Sequence, residues 1–237
     1  MIYNGVDFSQ WMRCGATKRV LPPVDNVTTE NASGVGASFL RRKLQPLVIP
    51  VFCRLTLGRE KPKEEVATIR RRMAAALLPG SPAMLVLDDE PERSYMAVVS
   101  SCDDLSSLGP SGSFRVEFTA HDPIAYGNDL SADVSPAMSV MVDGTYETRP
   151  VFRLKSTAGG SSRVKVANQD TGAFVQLDAA ANQGSAVIID MDDETVTVNG
   201  NLCPVTLASD FFALEPGFNR IQVTGATGSV EWTERWL

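Results

Sequence analysis

The sequence predicts a mainly β protein of two domains, strand-rich with one helix in the first and a β-sandwich in the second. Three observations predict it. Short alternating runs of β-branched and aromatic residues, separated by turn dipeptides, fill most of the 237 residues. Only residues 62–78 carry a sustained helical period. The composition changes at FRVEFTAHDPIAYG, residues 114–127, where a strand runs into an Asp122-Pro123 turn and an aromatic-glycine stop. The expected domains are therefore 1–127 and 128–237.

In the first domain, residues 1–8 offer a short strand with Asn4-Gly5 as its turn. Residues 11–27 alternate as a second strand, broken by Pro22 and Pro23. Residues 28–38, TTENASGVGAS, are small, polar and glycine-containing, and read as a mobile loop or arm. LVIPVFCRLTL, from Leu47 to Leu57, is strongly strand-like, with Pro50 placing it at a sheet edge or a bulge.

The helix is expected over 62–78. Pro62 suits the first turn, and Glu64 and Glu65 suit the positive end of the helix dipole. Val66, Ile69, Met73 and Leu77 form one apolar stripe, and Pro79-Gly80 ends the helix. A helix of about 15 residues is marginal in water, so the stripe must pack on a sheet. Arg70, Arg71 and Arg72 then form its polar side. Further strands are expected at 83–88, 94–100 and 113–119.

In the second domain, strands are expected at 138–142, 150–155, 162–168, 173–177, 186–190, 195–198, 202–206, 219–223 and 229–235. Asp143-Gly144, Gly159-Gly160, Thr171-Gly172, Asn199-Gly200 and Pro216-Gly217 mark turns between them. Many short strands at near-regular spacing indicate a sandwich.

Charge and cysteine usage narrow the function classes. Residues 1–127 carry 15 Lys/Arg against 14 Asp/Glu, whereas residues 128–237 carry 7 against 14. The acidic second half argues against a reader of nucleic-acid phosphates. The four cysteines lack a C-x-x-C pair and read as reduced thiols made in a cytoplasm. MIYNGVDFSQW lacks signal-peptide character, and no apolar run reaches the roughly 20 residues of a membrane span.

The chemistry-bearing residues are few. His121 is the sole histidine and sits beside Asp122-Pro123, where a turn role outweighs a catalytic one. The acidic runs 190–194 and 88–90 lie between strand-like segments; both read as turns, since the first lacks the spacing of an EF-hand loop. Arg41, Arg42 and Lys43 form a basic cluster, open between a solvated strand start and a contact to nucleic acid or a partner's carboxylates. Trp232, Glu234 and Trp236 share one face of the last strand. Those tryptophans fit either a sandwich core or, as the alternative, a carbohydrate-binding face. No P-loop, dinucleotide fingerprint, H-E-x-x-H or G-x-S-x-G occurs. The expectation is no enzyme, no cofactor and no metal.

The ordered segments resemble a known family. The marks are YNGVDFSQW at the start, PLVIPVFCRLTL before the helix, LVLDDEPERSYMAVVS and FRVEFTAHDPIAYG. In the second half they are TRPVFRLKS, VANQDTGAFVQL, AVIIDMDDETVTVNG, FFALEPGFNRIQV and VEWTERWL. Together these are similar to the distal tail proteins of long-tailed, non-contractile phages, in the siphovirus tail component family.

That resemblance implies a ring of six copies formed by the first domain. The ring would lie between the tail tube protein and a tail-associated lysin or fibre protein at the virion tail tip. The genome would cross its channel without specific binding. The second domain would be galectin-like and would dock a receptor-binding protein or touch host carbohydrate. Assembly would occur in the bacterial cytoplasm, with no membrane contact. Residues 28–43, ending in Leu40 and the cations Arg41, Arg42 and Lys43, are then the candidate ring-contact arm.

Overall fold

The computed structural model describes residues 1–16, 22–32, 34–56, 63–103, 112–157 and 163–237. Pro62, the Gly159-Gly160 turn and the start of the 162–168 segment lie outside the described residues. The chain divides into two compact units, Met1–Ala125 and Tyr126–Trp236. Both are dominated by antiparallel strands, so the mainly β class holds.

Seven described strands of the first unit form a sheet in the order Val6–Asp7, Ile2–Tyr3, Ala83–Leu87, Glu90–Cys102, Ser113–Ala120, Leu47–Leu55 and Met12–Ala16. Asn4 and Gly5, both at positive φ (52° and 71°), close the first hairpin, whose pair Tyr3↔Val6 leaves a two-residue loop. Such a turn matches the right-handed twist of the strands it joins. The Leu47–Leu55 strand alternates as its sequence promises: Ile49, Val51, Cys53 and Leu55 are buried, while Val48, Phe52 and Arg54 face outward.

Leu47–Leu55 is not an edge strand, because it pairs with Ser113–Ala120 on one side and Met12–Ala16 on the other. The described pairing with Met12–Ala16 stops at Ala16↔Val51, one residue short of Pro50. The missing proline N–H therefore removes no described ladder bond.

The helix spans Lys63–Leu77. Its predicted stripe is the buried face: Val66, Ile69, Met73 and Leu77 join one core with Tyr3, Phe118 and the inner face of the sheet. Arg71 and Arg72 are exposed. Tyr3 stacks edge-on against Phe118 at 4.9 Å and donates its hydroxyl proton to the Ala97 carbonyl at 3.1 Å. A polar tip inside a core is thereby satisfied.

The second unit is a sandwich. One sheet orders Asn201–Leu202, Thr195–Val198, Ala186–Asp190, Val151–Ser156, Ala226–Trp236 and Ala125–Val134. The other orders Ala137–Val142, Gly217–Thr224, Lys165–Asn168 and Phe174–Gln176. Their facing sides share one core, with Phe152, Leu154, Ile189, Val223 and Trp232 among its members. Phe152 meets Phe212 edge-on at 6.4 Å. Asn199 and Gly200 adopt φ of 50° and 81° between the paired residues Val198 and Asn201, a second two-residue hairpin turn.

Two further expectations need correction. The segment read as an aromatic-glycine stop continues as the Ala125–Val134 strand. Gly127 does not end it: a Cβ there would lie 3.0 Å from Glu234 Cβ and 3.1 Å from Trp236 Nε1, so glycine permits close packing inside the strand. The 28–38 segment, read as a mobile loop or arm, is built as a hairpin, with its ends in two paired strands and its middle in the turn. Val24–Glu30 and Ala37–Leu44 pair as an antiparallel hairpin that forms a sheet of its own.

Candidate functional site

The hairpin is the most distinctive surface of the first unit. Its tip is organised by Asn31, whose carbonyl accepts the Gly34 N–H at 2.9 Å and whose side-chain amide donates to the Val35 carbonyl at 3.1 Å. Gly34 and Gly36 take positive φ (73° and 70°), which gives the Gly-Val-Gly run its turn role. At the base, Val24 pairs with Leu44 and Asp25 with Lys43. Gln45 ties the base further by donating to the Asp25 carboxylate at 2.7 Å.

Between these ends the register jumps from Val27↔Arg41 to Thr28↔Phe39, leaving Leu40 as the extra residue of a bulge. Phe39 is 58 % exposed, Leu40 60 % and Val35 78 %. Large apolar side chains thus stand in water along an arm that has only two strands.

Arg41, Arg42 and Lys43 are all exposed on the second strand of this arm. They do not form one patch. Strand alternation puts Arg41 and Lys43 on one face and Arg42 on the other. Arg42 donates to the Asn26 side-chain carbonyl at 3.2 Å, across the hairpin. Val35 and Phe39 fall inside the 28–43 arm and Val24 inside the 11–27 segment of the sequence reading, but none was singled out as an exposed apolar contact. The β-branched residues between Val24 and Thr29 were the signal that could have found the first strand of the hairpin, whereas Phe39 lies on the second strand and Val35 in the turn.

The tryptophan pair separates. Trp232 is 9 % exposed and belongs to the sandwich core, so it is not available as a stacking surface for a sugar. Its neighbours Val230 and Glu234 are buried on the same side of the strand, as period two requires. Trp236 is half-buried, with Gly127 packed against its Nε1. Glu234 accepts the Asp143 N–H at 3.1 Å.

A surface groove of about 410 Å³ runs past Trp232 and is lined by Asp129, Arg149, Glu231 and Thr233. Its polar groups already engage one another or the backbone. Thr233 donates to Asp129 at 2.6 Å, Glu231 pairs with Arg153 at 2.8 Å, and Arg149 donates to the Met191 carbonyl at 3.1 Å.

The remaining candidates are turn residues. His121 is exposed at the bend where the Asp122 carboxylate caps the Ile124 N–H at 3.2 Å. In the acidic run, Asp190 accepts the N–H groups of Asp192 (2.9 Å) and Asp193 (3.1 Å), closing a hairpin tip around the buried Met191. Asp88 and Asp89 form the turn between Ala83–Leu87 and Glu90–Cys102, and Asp88 pairs with the α-amino group of Met1. Among the described residues, no three of His, Cys, Asp and Glu converge as a metal site. No described helix is long and apolar enough to cross a membrane.

Comparison with known proteins agrees with this fold. Residues 12–120 match a family described as phage tail protein RIFT-related domain. Residues 143–236 match the siphovirus-type tail component, C-terminal domain. The distal tail protein of Bacillus phage SPP1 is 26% identical over 158 residues, which are 65% of this chain and 62% of that relative. The chain thus spans under two thirds of that curated relative's length.

Among solved structures, the crystal structure of SPP1 Dit, titled a paradigm of the hub adsorption apparatus in phages infecting Gram-positive hosts, superposes with a TM-score of 0.81. It does so at 17% identity, covering 100% of this chain and 98% of the other. A chain of the phage P2 baseplate, in its activated conformation with calcium, gives a TM-score of 0.51 at 10% identity, over 95% of this chain and 90% of that one. The two units thus match, in order along the chain, a phage tail protein RIFT-related domain and a siphovirus-type tail component C-terminal domain, and the chain is similar to a phage distal tail protein.

Proposed function

We propose that this protein is the structural hub of a phage tail tip: six copies close into a ring through the first unit, below the tail tube protein and above a lysin or fibre protein. The genome passes through the channel without specific contacts. The second unit, a galectin-like lobe, docks an adsorption or receptor-binding protein. The job is architecture, not catalysis, and assembly takes place in the host cytoplasm.

The observation that carries this reading is the hairpin Val24–Leu44. A lone two-stranded hairpin is marginally stable in water, and this one exposes Val35, Phe39 and Leu40 along its length. A second copy of the chain is the occupant that satisfies it, since a head-to-tail contact that closes by rotation gives a ring. Arg41, Arg42 and Lys43 supply cations for the neighbour's carboxylates, and the bulge at Leu40 twists the edge away from indiscriminate pairing.

Residues 25–43 are to be excised and Val24 joined to Leu44 by a short glycine linker, which their pairing allows. Native mass spectrometry should show a hexamer for the parent and a monomer for the variant, with the thermal transition retained. A hexamer that survives excision would remove the arm from the interface. A parent that stays monomeric at every concentration and is absent from virions would overturn the hub itself.

A further inference from the structure

Cys14 and Cys53 lie directly opposite each other on the paired strands Met12–Ala16 and Leu47–Leu55, with their sulfurs 2.9 Å apart as free thiols. The ladder tells which kind of pair they form. Thr56 donates its N–H to the Trp11 carbonyl at 2.9 Å, so Trp11 and Thr56 are a hydrogen-bonded pair in this register. Antiparallel pairs alternate, which makes Arg13–Arg54 hydrogen-bonded and Cys14–Cys53 non-hydrogen-bonded. Non-hydrogen-bonded partners have Cα atoms about 4.5 Å apart, inside the span of roughly 4.4–6.8 Å that a disulfide bridges.

We propose that Cys14 and Cys53 are a disulfide-forming site, closed when the protein leaves the reducing compartment in which it is made. The co-reactant is a low-molecular-weight disulfide. The Cys14 thiolate, from the half-buried partner, attacks one sulfur of that disulfide and releases one small thiol. Cys53 then attacks Cys14 Sγ, expelling the second small thiol, which takes up the Cys53 proton. Two cysteines are oxidised and one small disulfide is reduced to two thiols.

The order follows from environment. Contact with Cys14 and burial both hold the Cys53 thiol protonated, so the accessible Cys14 reacts first. Closure would join the chain on either side of the entire 24–44 hairpin, since both of its strands lie between the two cysteines. The strands that root the arm could then no longer peel apart. The use of this staple rests on the hub reading, in which the arm holds neighbouring copies together outside the cell. Its chemistry does not.

The full-length protein, purified under reductant, is to be equilibrated in glutathione buffers of rising disulfide fraction, then alkylated with N-ethylmaleimide. Intact mass should fall by two hydrogens with two thiols still alkylated, and peptide mapping should join Cys14 to Cys53. The thermal midpoint should rise and return on adding dithiothreitol. A Cys102→Ser/Cys203→Ser variant should lose the same two hydrogens and show the same reversible rise in midpoint, with no thiol left to alkylate, and Cys14→Ser should show neither. Four alkylated thiols throughout, a persistent glutathione adduct on Cys14, or a bond between two chains would each overturn the proposal. Ring formation is scored separately by microscopy of the reduced protein, so either reading can fail alone.

Discussion

Asn219 and Glu215 hold each other in both directions. The Asn219 side-chain carbonyl accepts the Glu215 N–H at 2.9 Å, and its amide donates to the Glu215 carbonyl at 2.7 Å and to the Gly217 carbonyl at 3.1 Å. Asn219 is buried, so these bonds replace water rather than compete with it. They pin the Pro216-Gly217 turn that leads into the Gly217–Thr224 strand. Asn219→Ala should cost about 2–4 kcal/mol, because backbone groups are left unsatisfied. Asn219→Asp should cost at least as much, since it sets a carboxylate against two carbonyl oxygens. Urea unfolding checks both, and a midpoint unchanged in either variant would contradict this role.

Glycines differ sharply in what they permit. A Cβ on Gly144 would sit 2.3 Å from the Arg235 carbonyl oxygen, and one on Gly228 would sit 2.1 Å from that of Arg153. Both obstacles are backbone, so Ala at either position must displace a strand, and a loss of about 3 kcal/mol or more is expected. Gly80 has open space around it. Gly80→Ala should stay within about 0.5 kcal/mol of the parent in the same unfolding experiment.

The helix depends on its stripe. Met73 is fully buried between the helix and the sheet, and Met73→Ala should cost about 2–5 kcal/mol. Ala75 faces solvent on the same helix. Ala75→Gly tests propensity alone and should cost about 1 kcal/mol. Equal effects from the two substitutions would mean that packing does not hold the helix.

Acid should release one clamp in the second unit. The Asp170 carboxylate accepts the Arg220 backbone N–H at 2.6 Å and its guanidinium at 2.7 Å, and these bonds hold its pKa below the ordinary 3.8. A lowered folded-state pKa stabilises above the ordinary value and loses that contribution as pH falls through the folded value. Asp170→Ala should therefore melt below the parent near neutral pH, and the gap should narrow as pH drops below 3.8. A gap that widens in acid would reverse the sign of this linkage.

Local pattern determined much of this protein. Period-two alternation located the Leu47–Leu55 strand and most strands of the sandwich, because burial on one face writes itself into every second residue. The helix stripe and the Asn-Gly turns were equally legible, since each needs only neighbours a few positions away. Tertiary structure alone decided the rest. Ala125–Val134 carries exposed residues on both faces and hides its alternation. The 24–44 hairpin has no buried face to write a pattern at all. Whether Trp232 or Trp236 lay inside, and whether Cys14 met Cys53, depended on register between segments far apart in the chain, which no local preference encodes.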